Sequence, residues 1–222
     1  MNVIITGTTG MIGESVLLEC LASPAVDHVL ILNRNSLGRQ HAKLVEVLHK
    51  DFTDFSPLQA TINDFAPDAC YHCMGVSSVG MDEESYSRLT FDVTKSLADT
   101  VYAATPGAVF TYVSGAGSDE TESGNTMWAR VKGKTENYVL NRGFKDAYAF
   151  RIGAVIPEKG VKSSTGWVNL LYTVIRPIFG LMKHSSSVIT SSQLGQSMIA
   201  VSKKPVAEKR LESKDIAATV AG

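Results

Sequence analysis

The stretch VIITGTTGMIGES, residues 3–15, constrains the chain most. An apolar run that reads as a buried strand leads into Gly7-x-x-Gly10-x-x-Gly13, and an amphipathic helix follows at once. In that setting Gly7 permits a tight turn, Gly10 lets backbone approach a pyrophosphate, and Gly13 lets helix and strand pack closely. The helix start adds unpaired N–H groups and partial positive charge for an anion. A glycine triplet alone means little; between a strand and a helix it points to a dinucleotide.

The rest of the chain repeats the alternation that this unit begins. NVIIT (2–6), HVLIL (28–32), DACYHCMG (68–75), AVFTYVSG (108–115) and DAYAFRIG (146–153) read as buried strands, with a weaker one at KLVEVLH (43–49). Helical spacing appears in Ile12, Val16, Leu17 and Leu21, and in Leu89, Val93, Leu97 and Val101. Ser56 and Pro57 read as N-cap and first helical position of a helix ending before Pro67. Helices are also expected over 82–104 and 125–142. Strands joined by crossover helices make an α/β fold with a parallel sheet. After Gly153 the pattern turns helical at about 165–182 and 191–202, with a KHSSSVITSS loop between and a polar EKRLESKDI (208–216) behind. This predicts residues 1–160 as the nucleotide-binding part and 161–222 as a small C-terminal substrate-side lobe packed upon it.

Composition narrows the rest. A net charge of −1 gives no field that favours nucleic acid or an acidic membrane. The most apolar run, WVNLLYTVIRPIFGLM, is interrupted by Arg176 and Pro177 and falls short of the ~20 residues of a membrane span. The chain runs straight into NVIITG, so no secretory leader is expected. Cys20, Cys70 and Cys73 are too few for a disulfide framework, and a reducing cytoplasm is the easier setting. Cys70 and Cys73 are three apart on a strand, face opposite sides and have no second ligand pair, so they read as buried cysteines, not as a metal site.

The G-x-x-G-x-x-G spacing, DACYHCMGVSS and YVSGAG…MWARVKGKTE resemble the short-chain dehydrogenase/reductase superfamily over roughly residues 1–160. The nearest likeness is to its extended and atypical branches: epimerase/dehydratase proteins and Tat-interacting-protein-like oxidoreductases. The resemblance implies a doubly wound (Rossmann) sheet and NAD(P)-dependent chemistry on a small carbonyl or hydroxyl substrate. It further implies a dinucleotide held by Gly7, Thr9, Gly10, Met11, Ile12 and Gly13. Asp51 and Phe52 match the adenine edge, Cys73, Met74 and Gly75 the ribose stretch, and Gly153 and Val155 the nicotinamide side, although Ile152-Gly153 replaces the usual Pro-Gly. The helices 82–104 and 125–142 match those of a homodimer interface.

Two features refine that expectation. An acidic residue about 20 positions past the glycines would bind the ribose of NAD. Here stand Asn33 and Arg34, and a guanidinium suits a 2′-phosphate, so NADP is expected over NAD. The alternative is that Arg34 is a solvated loop charge; Arg39 and Lys43 could assist it. The superfamily's Ser–Tyr–Lys set falls on Ser114, Trp128 and Lys132, and the resemblance implies that Lys132 also holds the nicotinamide ribose. Indole donates a hydrogen bond but does not ionise, so the phenol's proton role is vacant. Tyr112, Ser77, Ser78, Tyr86, Ser118 and His184 are weaker substitutes. An enzyme working without the tyrosine therefore competes with a dinucleotide-binding sensor or scaffold.

Overall fold

The computed structural model describes residues 1–160 and 188–221. Seven parallel strands form the main sheet: β1 (Asn2–Thr6), β2 (His28–Asn33), β3 (Leu44–Leu48), β4 (Ala69–His72), β5 (Val109–Gly115), β6 (Asp146–Ile152) and β9 (Arg210–Glu212). Their spatial order is β3-β2-β1-β4-β5-β6-β9. Period-2 alternation sends each strand's side chains to two cores. On one face Val3, Ile5, Val29, Ile31, Tyr71 and Phe150 meet helix α1 (Met11–Ala22) and two C-terminal helices, α6 (Ser191–Lys203) and α7 (Ser213–Ala221). On the other, Ile4, Leu30, Cys70, Phe110 and Tyr112 meet α2 (Gln59–Phe65), α4 (Val93–Ala104) and α5 (Met127–Leu140). Helices on both faces of a parallel sheet make the fold doubly wound. Cys70 and Cys73 fall in opposite cores.

Several boundaries differ from expectation for local reasons. The fourth strand ends at His72, because Cys73 to Gly75 run against the glycine turn. Ser56 is not an N-cap: Ser56–Leu58 form a 3-10 turn ahead of α2, and Asp54 accepts from the Ser56 amide at 2.9 Å. The α2 helix stops at left-handed Ala66 (φ 48°), before Pro67. The helix expected over 82–104 is broken into α3 (Glu83–Ser87), a π-helical turn (Arg88–Asp92) and α4. Residues 34–43 carry no helix, so the β2–β3 crossover leaves edge strand β3 with Val45 and Leu48 exposed.

The C-terminal segment completes the sheet. The expected 183–192 loop contains β8 (Val188–Thr190), which pairs in parallel with β7 (Ala154–Ile156). Thr190 and Gln193 form a capping box on α6, a device worth about 1 kcal/mol. The polar EKRLESKDI supplies β9, whose Leu211 is buried and whose Arg210 pairs beside Ala149. The helix expected at 165–182 and His184 lie outside the described residues.

Candidate functional site

The glycine turn is built by contact as much as by conformation. Gly7 has φ +79°, and a Cβ there would lie 2.8 Å from the carbonyl atoms of Cys73. A Cβ on Gly13 would lie 2.2 Å from the Gly7 oxygen. Glycine at 7 lets β4's exit cross the turn, and glycine at 13 seats α1 against it. Gly10 differs: its nearest neighbour would be the Gly7 oxygen at 3.4 Å, and it borders open space. The first intrahelical bond is Glu14 to Gly10 at 2.9 Å, so the Met11, Ile12 and Gly13 amides precede any helical acceptor.

Gly7, Thr9, Gly10, Arg34, Phe52, Cys73, Met74 and Gly75 converge on one cavity of about 370 Å³, joined by Asn33, Asn35 and Val76. Met11, Ile12, Gly13, Asp51, Lys132, Gly153 and Val155 do not line it. Asp51 holds the Thr53 hydroxyl and amide, which keep its carboxyl below the usual range. Val155 is buried in strand β7, in the core shared with α6. At the rim, Arg34 projects over the Phe52 ring, 6.0 Å from its centroid, and makes no ion pair among the described residues. Its neighbour Asn33 is buried, accepting from Thr8 at 2.9 Å and donating to Glu46 at 2.9 Å. Burial opposes ionisation of Glu46, but bonds from Ser36, Asn33 and Leu37 hold its carboxyl below the usual range. Arg39 instead pairs with Glu14, and Lys43 donates to the Ser23 carbonyl, so neither assists Arg34.

The expected catalytic trio is placed differently from the sequence reading. Ser114 is buried and committed: its hydroxyl donates to Glu136 at 2.5 Å and lies 2.9 Å from the Ser118 hydroxyl. Glu136, wholly buried, also takes a two-pronged contact from Arg151 and one from Arg210. The position that faces Lys132 and Trp128 is Gly115, where a Cβ would sit 3.6 Å from both side chains. Trp128 also reaches over Gly117, which has φ +86°. The indole thus covers a ledge that carries no side chain at 115 or 117, and the Ser118 hydroxyl behind it is committed to the Gly115 carbonyl at 2.8 Å.

Lys132 stands beside that ledge, its ammonium 5.4 Å from the Tyr112 ring centroid and without an acceptor among the described residues. Desolvation lowers its pKa from the ordinary lysine value to about 8, although Glu136 opposes the change. Two of the proposed substitutes, Tyr112 and Tyr86, recede. Tyr112 is core, stacked 5.9 Å from His72, and burial pushes its phenol far up. Tyr86 is buried instead of reaching the mouth. His72 is locked between Thr6 and Thr94, and burial with the Lys132 charge lowers its pKa to about 3. Ser77 accepts from the Val79 amide.

Sequence reasoning missed Thr8, Val76, Gly115, Gly133 and Glu136. A Cβ on Gly133 would fall 1.7 Å from the Asp119 carbonyl, so this glycine admits the loop after β5 against α5. It follows Lys132 directly in VKGK, and that close approach was the signal available.

Residues 3–136 match the NAD dependent epimerase/dehydratase family. The chain belongs to that family. A mitochondrial protein of Emericella nidulans, fmp52, is 24% identical over 164 residues, covering 71% of this chain and 68% of its own. Among solved structures, the Bordetella bronchiseptica enzyme WbmH in complex with NAD+ is similar at TM-score 0.70 and 17% identity, over 95% of this chain and 74% of that one. The GalE-like L-threonine dehydrogenase of Cupriavidus necator gives 0.72 at 12% identity, over 96% and 78%. The NAD complex of Thermus thermophilus UDP-glucose 4-epimerase gives 0.66 at 14% identity, over 100% and 82%. At these identities the structures speak for the fold alone. Among the described residues, no helix is long and apolar enough to cross a membrane.

Proposed function

We propose that this epimerase/dehydratase family member is an NADP-dependent reductase-like enzyme for a small carbonyl or hydroxyl substrate. The observation that carries the dinucleotide is Gly10. No protein atom requires glycine there, and a side chain would protrude into the cavity just where the α1 amides await an anion. Gly7, Thr9 and Gly10 with the Met11, Ile12 and Gly13 amides would hold the pyrophosphate. Phe52 would flank the adenine, and Cys73 to Gly75 would back the ribose. When bound, the dinucleotide supplies hydride transfer.

Preference for NADP rests on the end of β2. The Asn33 amide is committed on both sides, leaving no carboxylate for the ribose hydroxyls, while Arg34 overhangs the same rim without an ion-pair partner among the described residues. A 2′-phosphate is the natural counter-charge for that guanidinium. The test is a thermal-shift titration with NADPH and NADH. Ligand at ~100 times its Kd adds about 2.7 kcal/mol, and each kcal/mol moves Tm by about 2–4 °C in a chain this size. NADPH is expected to shift Tm more than NADH, and Arg34→Ala to cut the NADPH preference about tenfold or more. An unchanged preference overturns the NADP assignment; no shift with either dinucleotide removes the enzyme reading.

Gly115 and Trp128 favour a second reading, a dinucleotide-dependent sensor or scaffold, because position 115 carries no hydroxyl and position 128 no phenol. NADPH oxidation across a panel of aldehydes and diketones separates the two. The homodimer rests on the resemblance of α4 and α5 to the family's interface helices, and three buried free cysteines support a reducing compartment such as the cytoplasm.

A further inference from the structure

We propose that the Lys132 side chain itself, with no intervening hydroxyl, delivers the proton to the substrate oxygen at this site. The inference rests on the reductase reading above and specifies who does its acid–base work. It begins with elimination around the ledge. Gly115 offers no side chain, and Trp128 offers an indole that does not ionise. Ser114 points its proton at Glu136. Glu136 is saturated by Ser114, Arg151 and Arg210. Facing Lys132 among the described residues are His72 from β4, Tyr112 from β5 and Glu136 from its own helix. His72 is neutral and held on both ring nitrogens, and the Tyr112 phenol stays protonated.

Among the described residues, Lys132 is thus the titratable group left beside the ledge. Its stem packs near the indole and the Gly115 backbone, yet the residue is only half-buried and its ammonium has no acceptor among the described residues. A structural lysine pairs its charge; this one is held where desolvation, opposed by Glu136, weakens its grip on the proton. As a carbonyl carbon takes up hydride, an N–H bond of the ammonium breaks and an O–H bond forms on the alkoxide oxygen. The neutral amine then regains a proton from water. An acid with a pKa near the working pH suits both halves of that cycle.

The decisive experiment is competitive acetylation of the intact protein with acetic anhydride across pH 6–11, read peptide by peptide by mass spectrometry. Lys132 is expected to label with a midpoint near 8, and NADPH to shield it. At pH 8 it would carry about two orders of magnitude more neutral amine than an ordinary lysine. A midpoint in the ordinary lysine range overturns the proposal whether or not NADPH binds. The second arm is Lys132→Arg, which keeps charge but cannot give up its proton. Its NADPH thermal shift should survive, while reduction of any carbonyl that the wild type accepts falls about 100-fold or more. Turnover within tenfold of wild type overturns the proposal. Absence of any NADPH shift in the wild type fails the reductase reading instead, so the two failures are distinct.

Discussion

Gly13 and Gly115 both lie at the carboxyl edge of the sheet, and the contrast between them explains the molecule. At Gly13 a methyl group would collide with a backbone oxygen 2.2 Å away; at Gly115 it would meet two side chains at 3.6 Å, an ordinary contact. The first glycine is demanded by packing. The second is not demanded by packing among the described residues, where a methyl group would fit. The glycine turn is therefore fixed by backbone contact, while the ledge at Gly115 is bordered by an indole and an amine.

The largest effect should come from breaking the glycine turn. Gly13→Ala forces α1 away from the turn, and NADPH should no longer shift Tm at all. The overpacking itself should cost about 3 kcal/mol, seen as a lower urea midpoint. A retained shift would mean that the turn tolerates more movement than the contact allows.

His72 sits between the strands that lead to the turn and the ledge, held by Thr6 of β1 and stacked on Tyr112 of β5. Its folded pKa, about 3, lies below its ordinary value of 6.5. The unfolded chain therefore binds the extra proton first, and stability falls as pH drops through 6.5 toward 3. By pH 4.5 the loss should reach about 2–3 kcal/mol, read as the pH dependence of urea unfolding, with His72→Asn lacking that component. Equal pH dependence in the variant would place the histidine in a more open setting.

The smallest effect belongs to the ledge. Gly115→Ala should change stability by less than about 1 kcal/mol and leave the NADPH shift intact. A loss like that of Gly13→Ala would erase the contrast.

The fold was largely legible because its signals are local. A strand, three glycines and an amphipathic helix report one another within a few residues. Five of the six expected strands lie within a residue or two of their structural bounds, and the sixth, at 68–75, is shorter because Cys73 to Gly75 peel off to cross the turn. The strand β9 was not legible, since three residues with one apolar side chain carry no periodicity, and β6 alone supplies its register. The π-helical turn at Arg88–Asp92 hid inside an unbroken heptad-like pattern. At the site, spacing placed Lys132 and Trp128 on one helix, where both approach Gly115. It could not show that Ser114 points at a buried carboxylate, because Glu136 is 22 residues away and is brought in by tertiary packing.

The return of β9 to the sheet also sets the order in which the chain can mature during synthesis. Arg210 closes on Glu136, and Leu211 packs beside Phe150, across a sequence separation of about 60 residues or more. Translation proceeds at about 5–20 residues per second, so β6 stands as an unprotected edge for several seconds before residues 210–212 are made. Through that interval Glu136 lacks one of its two arginines, and an apolar parallel strand edge is open to other nascent chains. Residues 210–212 act as the closing stave of the sheet, and any delay in making them prolongs the time at which the newborn protein is most prone to aggregate.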